Sequence, residues 1–372
     1  NKGHEVFNKN CVIIFDECHR SQFGDMHAKI VKSFKKYYMF GFTGTPIFAA
    51  NSGTGKYKEM LTTPQTFGSQ LHAYTIIDAI NDGNVLPFRI DYVNTVKEKE
   101  NINDKNVSAI DIERAMGSPE RIRGIVKYTL EHFDKKTKRN SFYSLKGKRM
   151  AGFNSIFAVS SIPMAMKYYK EFQNSKLVIA TIFSYAPNED SPEDVLQEEG
   201  FETDELDQTS RDFLESAICD YNKVFKTNFD TSADKFQNYY KDLSMRVKSR
   251  EIDLLIVVNM FLTGFDATTL NTLWVDKNLR MHGLIQAFSR TNRILNSVKT
   301  YGNIICFRDL HEATDDAIGL FGDKNASGIV LLRSFYDYWN GYEDCNGEFH
   351  PGYIDLIRKL ETEYPLEGEI VG

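Results

Sequence analysis

The chain has 372 residues, of which 42% are hydrophobic, 26% charged and 13% aromatic; this is globular composition and excludes a disordered, collagen-like or disulfide-scaffold protein. At roughly one domain per 150 residues the length allows two compact domains and a smaller third piece. The net charge of −6, from 45 basic and 51 acidic residues, argues at face value against a nucleic-acid partner, but residues 189–207 alone hold ten acids and no Lys or Arg, so the remainder is slightly basic.

The opening residues Asn1 to Glu5 carry no apolar core of a secretion signal, and the longest apolar runs, such as Leu254 to Val258, are too short to cross a membrane. Five cysteines (11, 18, 219, 306 and 345), odd in number and without CxxC spacing, predict reduced thiols and a cytoplasmic protein. Cys11, Cys18 and His19 match no zinc spacing and read as packing residues. There is no initiator Met, and the first apolar strand begins only about ten residues in, so the sequence reads as excised from something longer.

In chain order, Cys11 to Phe15 is a short continuous apolar run, which predicts a strand buried on both faces of a parallel sheet. A helix near 25–34 and a second buried strand over 37–42 complete a βαβ unit with polar residues at its carboxyl edge. Residues 49–66 read as a loop; Gly53-Thr54-Gly55-Lys56 lacks the leading glycine and the preceding strand of a phosphate loop. A helix over 71–80 and a strand over 88–93 follow, and the polar stretch 97–104 marks a domain boundary. A helix over 119–133 leads to a basic stretch, 135–149, with seven Lys or Arg and no acid, which fits either a phosphate-facing segment or a solvated loop. Strands over 155–159, 177–183, 254–258, 271–275 and 303–307, separated by helices near 162–172, 213–225, 235–248 and 282–293, predict a second doubly wound α/β domain. The acidic segment 189–207 reads as a solvated loop. Beyond about 309 the apolar spacing is helical only.

Asp16 and Glu17 fall at the end of a buried strand, where ligands approach an open α/β sheet. Adjacent carboxylates there can divide labour, Asp16 holding hydrated Mg²⁺ and Glu17 deprotonating a water that attacks a γ-phosphate; a solvent-facing turn is the plainer reading. Gln286, Arg290 and Arg293, at spacings of four and three, share one face of the predicted helix. That face is either salt-bridged and exposed or a pair of arginine fingers reaching a triphosphate. In Thr263-Gly264-Phe265-Asp266, the glycine permits close backbone approach, Asp266 can take a ribose hydroxyl or brace an arginine, and Thr263 can donate to a DNA phosphate; an ordinary Asx-capped turn also fits.

Taken in order, Asp16-Glu17-Cys18-His19, Thr43-Gly44-Thr45-Pro46, the strand end at Ser160, Thr263 to Asp266, and Gln286 to Arg293 resemble motifs II to VI of a superfamily 2 helicase motor. With the neighbouring Arg20 to Gly24, Gly41 to Phe48 and Phe236 to Tyr240, the chain to about Lys324 is similar to the motor region of the restriction (R, HsdR-type) subunit of type I restriction-modification enzymes. The resemblance implies RecA-like α/β domains: the second half of the first motor domain (1–96), a complete second one (97–310) and the start of a helical domain (311–372). It also implies an ATP- and Mg²⁺-dependent translocase acting on double-stranded DNA and assembled with methylation (M) and specificity (S) subunits, with no membrane. Asp16 would hold Mg²⁺, Glu17 would activate water, and Gly264, Asp266, Gln286, Arg290 and Arg293 would close the ATP site. His19, Thr43, Thr45, Ser160 and Thr263 would couple nucleotide to DNA. The family's phosphate loop and PD-(D/E)xK-type nuclease have no counterpart in the sequence; both would lie before Asn1, and the chain alone would neither hydrolyse ATP nor cut DNA. Another superfamily 2 DNA translocase or repair helicase, and a non-catalytic DNA-binding module, are the rival readings.

Overall fold

The computed structural model describes residues 4–21, 25–48, 62–95, 116–184, 206–321, 330–332, 335–343 and 349–364. The loop around 53–56, the boundary at 97–104 and nearly all of the acidic segment 189–207 lie outside the described residues. The chain divides into two compact units, Asn1–Val330 and Leu331–Gly372.

The first unit contains two parallel sheets. In the smaller, β1 (Asn10–Phe15) and β2 (Lys36–Gly41) pair in parallel from Asn10↔Lys36 to Phe15↔Gly41. They are joined through α1 (Cys18–Ser21) and α2 (Asp25–Ser33), as a parallel pair requires a crossover. The strands alternate in burial. Cys11, Ile13 and Phe15 turn inward, whereas Val12 and Ile14 are 63% and 64% exposed and Tyr38 72%. The predicted burial on both faces therefore holds for one face only, because no described element covers the other.

The second sheet has six parallel strands. They are β3 (Phe88–Tyr92), β6 (Asn154–Val159), β7 (Ile179–Ile182), β8 (Leu254–Val257), β9 (Leu270–Asp276) and β10 (Gly302–Cys306), in the spatial order β3-β10-β9-β6-β8-β7. Every residue of β6, β8, β9 and β10 is buried, which needs cover on both faces. The helices between the strands supply it: α5 (Pro119–Lys136), α6 (Ile162–Phe172), α7 (Gln208–Phe225), α8 (Ala233–Lys248), α9 (Met281–Phe288) and α10 (His311–Phe321). Among the described residues none of these helices is long and apolar enough to cross a membrane. The fold class is the α/β, doubly wound parallel architecture that the sequence predicts.

Several elements differ from their sequence-based expectations, each for a local reason. Phe88–Tyr92, expected on the first side of the 96/97 division, hydrogen-bonds to β10 and forms the edge of the second sheet. The helix expected over 71–80 is α4 (Ile76–Asn81), because Thr75 and Asp78 form a capping box that sets its start; α3 (Thr63–Phe67) begins in the same way at Thr62 and Gln65. Part of the basic stretch folds into a hairpin, β4 (Phe142–Leu145) and β5 (Lys148–Ala151), whose two turn residues Lys146 and Gly147 both take positive φ, the geometry that matches strand twist. This hairpin runs straight into the start of β6 and so stands at the amino edge of the sheet, the opposite end from the carboxyl-edge loops. Of its flanking cations, Lys136 pairs with Asp91 and Arg139 with Asp253.

The second unit holds α11 (Phe335–Asn340), a two-stranded antiparallel pair, β11 (Tyr342–Glu343) and β12 (Phe349–His350), and α12 (Tyr353–Glu363). The antiparallel pair departs from the purely helical expectation for this region.

Candidate functional site

The site grows from the carboxyl edge of the small sheet. Past Phe15 the backbone turns sharply: Asp16 Oδ1 accepts the Glu17 amide at 2.9 Å, and Glu17 sits at φ +46°, a left-handed conformation that a non-glycine residue adopts only when its surroundings hold it there. Two bonds hold it. The Phe42 amide donates to Phe15 O at 2.8 Å, and the Cys18 amide donates to Phe42 O at 2.9 Å. A Cβ on Gly41 would come within 2.7 Å of Cys18 Sγ, so glycine here lets the buried thiol lie against the strand. Burial pushes that thiol up to about 11, which keeps Cys18 neutral and in the packing role expected of it.

His19 is 4% exposed and lies at the centre of the cluster. Its Nδ1 is 2.6 Å from Thr43 Oγ1, 3.5 Å from Thr45 Oγ1 and 3.4 Å from Glu17 Oε2. Its Nε2 is 3.4 Å from Gln286 Nε2, which also donates to Thr45 Oγ1 at 3.3 Å. An amide nitrogen can only donate. In the neutral ring Nε2 is therefore the acceptor, and the proton sits on Nδ1, facing the Thr43 hydroxyl and the Glu17 carboxylate. Thr43 Oγ1 accepts the Thr45 amide at 3.0 Å, which tightens the loop. The segments that follow β1 and β2 in the first sheet and one helix of the second thus share a hydrogen-bonded cluster of Glu17, His19, Thr43, Thr45 and Gln286.

The two arginines are not on a helical face with Gln286. Helix α9 ends at Phe288 and is capped by Ser289. After it the chain turns inward: the Thr291 amide donates to Phe288 O at 3.0 Å, and Asn292 O accepts the Leu86 amide at 2.8 Å. Buried Thr291 lies so close to Gly302 that a Cβ there would fall 2.3 Å from its hydroxyl oxygen. These tertiary contacts outweigh the helical periodicity. Arg290 folds back, its Nε donating to Gln286 O at 3.0 Å and its Nη1 to Phe265 O. Arg293 pairs with Asp266 at 3.4 Å on an open surface, their side chains 43% and 60% exposed. Gly264 takes φ +68° with open space where a Cβ would be, so it shapes the turn. Ser160 follows β6, and Thr263 lies in the loop after β8; both are outside the His19 cluster.

Three features escape a reading of the sequence. His282, one turn before Gln286, is buried, stacks on the His19 ring with centroids 5.5 Å apart, and places Nε2 3.3 Å from Pro46 O. Its i, i+4 spacing from Gln286 was the one available signal. Lys299, 2% exposed, donates from Nζ to Thr268 O at 2.9 Å and Leu270 O at 2.6 Å, tying down the end of the 263–270 loop; burial pulls its amine down to about 7. Asp276, fully buried at the carboxyl end of β9, accepts from Arg121 at 2.7 and 2.9 Å, from Arg308 at 2.8 Å and from Tyr168 OH at 2.7 Å. Burial alone would raise the Asp276 carboxyl, but the hydrogen bonds and charges of Arg121 and Arg308 offset this and hold it below the usual carboxylate range. No signal in the sequence marks Lys299 or Asp276. Among the described residues no group of three or more His, Cys, Asp or Glu is arranged to hold a metal by itself.

Comparison with known proteins places these features. Residues 2–120 match the SWI2/SNF2 ATPase family, and 151–309 match the family described as type I restriction enzyme subunit R domain 3. A type I restriction enzyme endonuclease subunit of Staphylococcus aureus (strain COL) is 45% identical over 374 residues, covering 98% of this chain and 37% of that protein. One from Staphylococcus saprophyticus is 45% identical over 348 residues, covering 91% of this chain and 35% of that protein. Among solved structures, an ATP-dependent Type ISP restriction-modification enzyme, LlaBIII, bound to DNA, overlays with a TM-score of 0.39 at 13% identity, covering 84% of this chain and 20% of that one. The fold, with its cluster between two parallel sheets, is that of an α/β protein whose amino-terminal part matches an ATPase family. More narrowly, the chain belongs to the family of type I restriction enzyme R (endonuclease) subunits, and it spans about a third of the length of the relatives it matches.

Proposed function

We propose that the chain is the motor portion of an R subunit that couples ATP hydrolysis to translocation along double-stranded DNA before cleavage, in a complex with methylation and specificity subunits. The part of 1–96 that precedes β3 would contribute the second half of the first motor domain, β3 together with 97–310 the second, and 311–372 the start of a mostly helical domain. The observation that carries this reading is the His19–Thr45–Gln286 cluster, a polar contact between the two sheets built from the loops that end β1 and β2 and from helix α9.

Asp16 and Glu17 fit a hydrated Mg²⁺, since both are exposed hard-oxygen donors at the carboxyl edge of a parallel sheet. When bound with ATP, the ion supplies positive charge to the phosphate oxygens. Asp16 would hold the ion, while Glu17 would take the proton of the attacking water. The Nδ1–H of His19 faces the Glu17 carboxylate and holds its orientation. Arg290 and Arg293, with Gln286, Gly264 and Asp266, form the other wall of the nucleotide site. Thr43, Thr45, Ser160 and Thr263 link that site to DNA, and their contacts go to phosphates because a motor that moves along any sequence cannot depend on base edges.

The test is DNA-stimulated ATP hydrolysis by the full-length subunit, assembled with its partners, in Glu17→Gln and Arg290→Ala. Loss of the general base lowers kcat by about 10² or more, and loss of the arginine lowers it by at least about tenfold. Wild-type rates in both variants would sink the motor reading.

A further inference from the structure

His282 belongs to none of the five motifs, yet like Gln286 it reaches the first sheet from helix α9. It is 3% exposed, and its ring meets groups from both sheets' surroundings. The ring stacks on His19 at 5.5 Å with an interplanar angle of 22°, meets the edge of Phe321 from the end of α10 at 4.9 Å and 61°, and places Nε2 3.3 Å from the carbonyl oxygen of Pro46. Burial pulls its pKa down to about 4, so the ring is neutral near pH 7 and carries a single N–H. A carbonyl oxygen can only accept, which puts that proton on Nε2. Gln286, one turn further along the same helix, reaches Thr45 Oγ1 and His19 Nε2. The loop 43–46 is therefore held from α9 at two points, one at each end of Thr45-Pro46, and His19 is held both edge-on by an amide and face-on by a ring.

We propose that His282 is a positioning residue of the nucleotide cleft: its Nε2–H fastens the Pro46 carbonyl and its ring fixes the plane of His19, so that the 43–46 loop and helix α9 move as one body. The proposal rests on the motor reading for its consequence in turnover, but the fastening itself is independent of that reading. The stacked ring limits rotation of the His19 imidazole about Cβ–Cγ, and so adds to the hydrogen bonds that set the direction of the Nδ1–H facing Glu17. Phe321 backs the imidazole on another side, so the end of α10 contributes to the same fixed geometry.

The experiment uses the full-length subunit with two readouts. The first is amide hydrogen exchange at Thr45 and Ile47, whose N–H groups are held by Thr43 Oγ1 at 3.0 Å and Thr63 Oγ1 at 2.8 Å. The expected result for His282→Ala is exchange faster by about tenfold at these two amides, with the strands of the six-stranded sheet unchanged. His282→Gln, which keeps a donor, recovers most of the protection, and His282→Phe, which keeps only the ring, does not. The second readout is the split between kcat and KM for ATP, where kcat falls by about fivefold or more in His282→Ala and KM stays within about twofold, the signature of lost orientation and not of lost binding. Unchanged exchange at Thr45 and Ile47 in His282→Ala would overturn the proposal, and so would equal acceleration throughout the sheet, which is the mark of a packing residue. A wild-type subunit without DNA-stimulated ATP hydrolysis would defeat the motor reading while leaving the exchange result to decide the role of His282.

Discussion

The two sheets of the first unit are made from nearly the same kind of sequence and end in different environments. Cys11 to Phe15 and Leu254 to Val258 are both short apolar runs followed by polar residues. Yet Leu254–Val257 is buried at every position, whereas Val12 and Ile14 lie more than half exposed. The difference is in the neighbours. Strand β8 has a parallel partner on each side and helices above and below, while β1 pairs only with β2 and is covered on one face. Apolar content states how much cover a strand can use, and the count of surrounding elements decides how much it has. The same contrast runs through the polar groups. The second sheet encloses its charges in a saturated network around Asp276, and the first presents Asp16 and Glu17 to solvent.

The largest effect should come from breaking that network. Asp276→Asn leaves the guanidinium groups of Arg121 and Arg308, both buried, without their counter-charge. Removing one partner of such a buried set costs about 3–5 kcal/mol, because the remaining charges stay desolvated. Equilibrium denaturation in urea reads the loss directly. A cost under about 1 kcal/mol would mean that the arginines reach water readily and that the second sheet is less closed than its burial shows.

A paired substitution sharpens the contrast between the sheets themselves. Leu255→Ala removes a fully buried side chain from the middle of β8 and should cost about 2–5 kcal/mol through lost transfer energy and the cavity left behind. Val12→Thr, at an exposed position of the same strand type, should change stability by no more than about 0.5 kcal/mol. Comparable losses from both in the full-length subunit would show that another segment covers the open face of β1 and β2 there, and the two sheets would then be alike in environment.

The extent to which this structure was legible in the sequence follows the same division. The inner strands of the second sheet were readable because each carries a run of apolar residues bounded by polar turns, and the carboxylates Asp16 and Glu17 were readable because they fall where such a strand ends. What failed depended on tertiary contacts. The periodicity of 282–293 is helical throughout, but Thr291 packs beneath Gly302 and Asn292 accepts the Leu86 amide, and these contacts end the helix at Phe288. Strand Phe88–Tyr92 carries nothing that names its partner, β10, 214 residues away at every register point. Within the site, Glu17 was identifiable from its place at a strand end and Gln286 from helical spacing, whereas His19, Thr43 and Thr45 entered only through the resemblance to helicase motifs. The stacking of His282 on His19 joins residues 263 positions apart and leaves no trace in local pattern. Lys299 is a single lysine in a polar loop until the fold closes around it.

The two arginines give the finest test of the comparison, because the structure separates side chains that a helical face would have made equivalent. Arg290 is held by two backbone carbonyls, those of Gln286 and Phe265, and so ties α9 to the turn at Gly264. Among the described residues Arg293 makes an open, long contact with Asp266. Exposed ion pairs contribute about 0–1 kcal/mol, so Arg293→Ala should leave the denaturation midpoint nearly unchanged. Arg290→Ala releases two hydrogen bonds in partly buried surroundings, each worth about 1 kcal/mol net, and should lower stability measurably more. Measured on the same samples, hydrolysis completes the argument: an Arg293→Ala protein of wild-type stability whose DNA-stimulated turnover falls by about tenfold or more is one whose arginine acts on the nucleotide. A fall in turnover that merely tracks stability would return Arg293 to the exposed, salt-bridged surface that its contact with Asp266 describes.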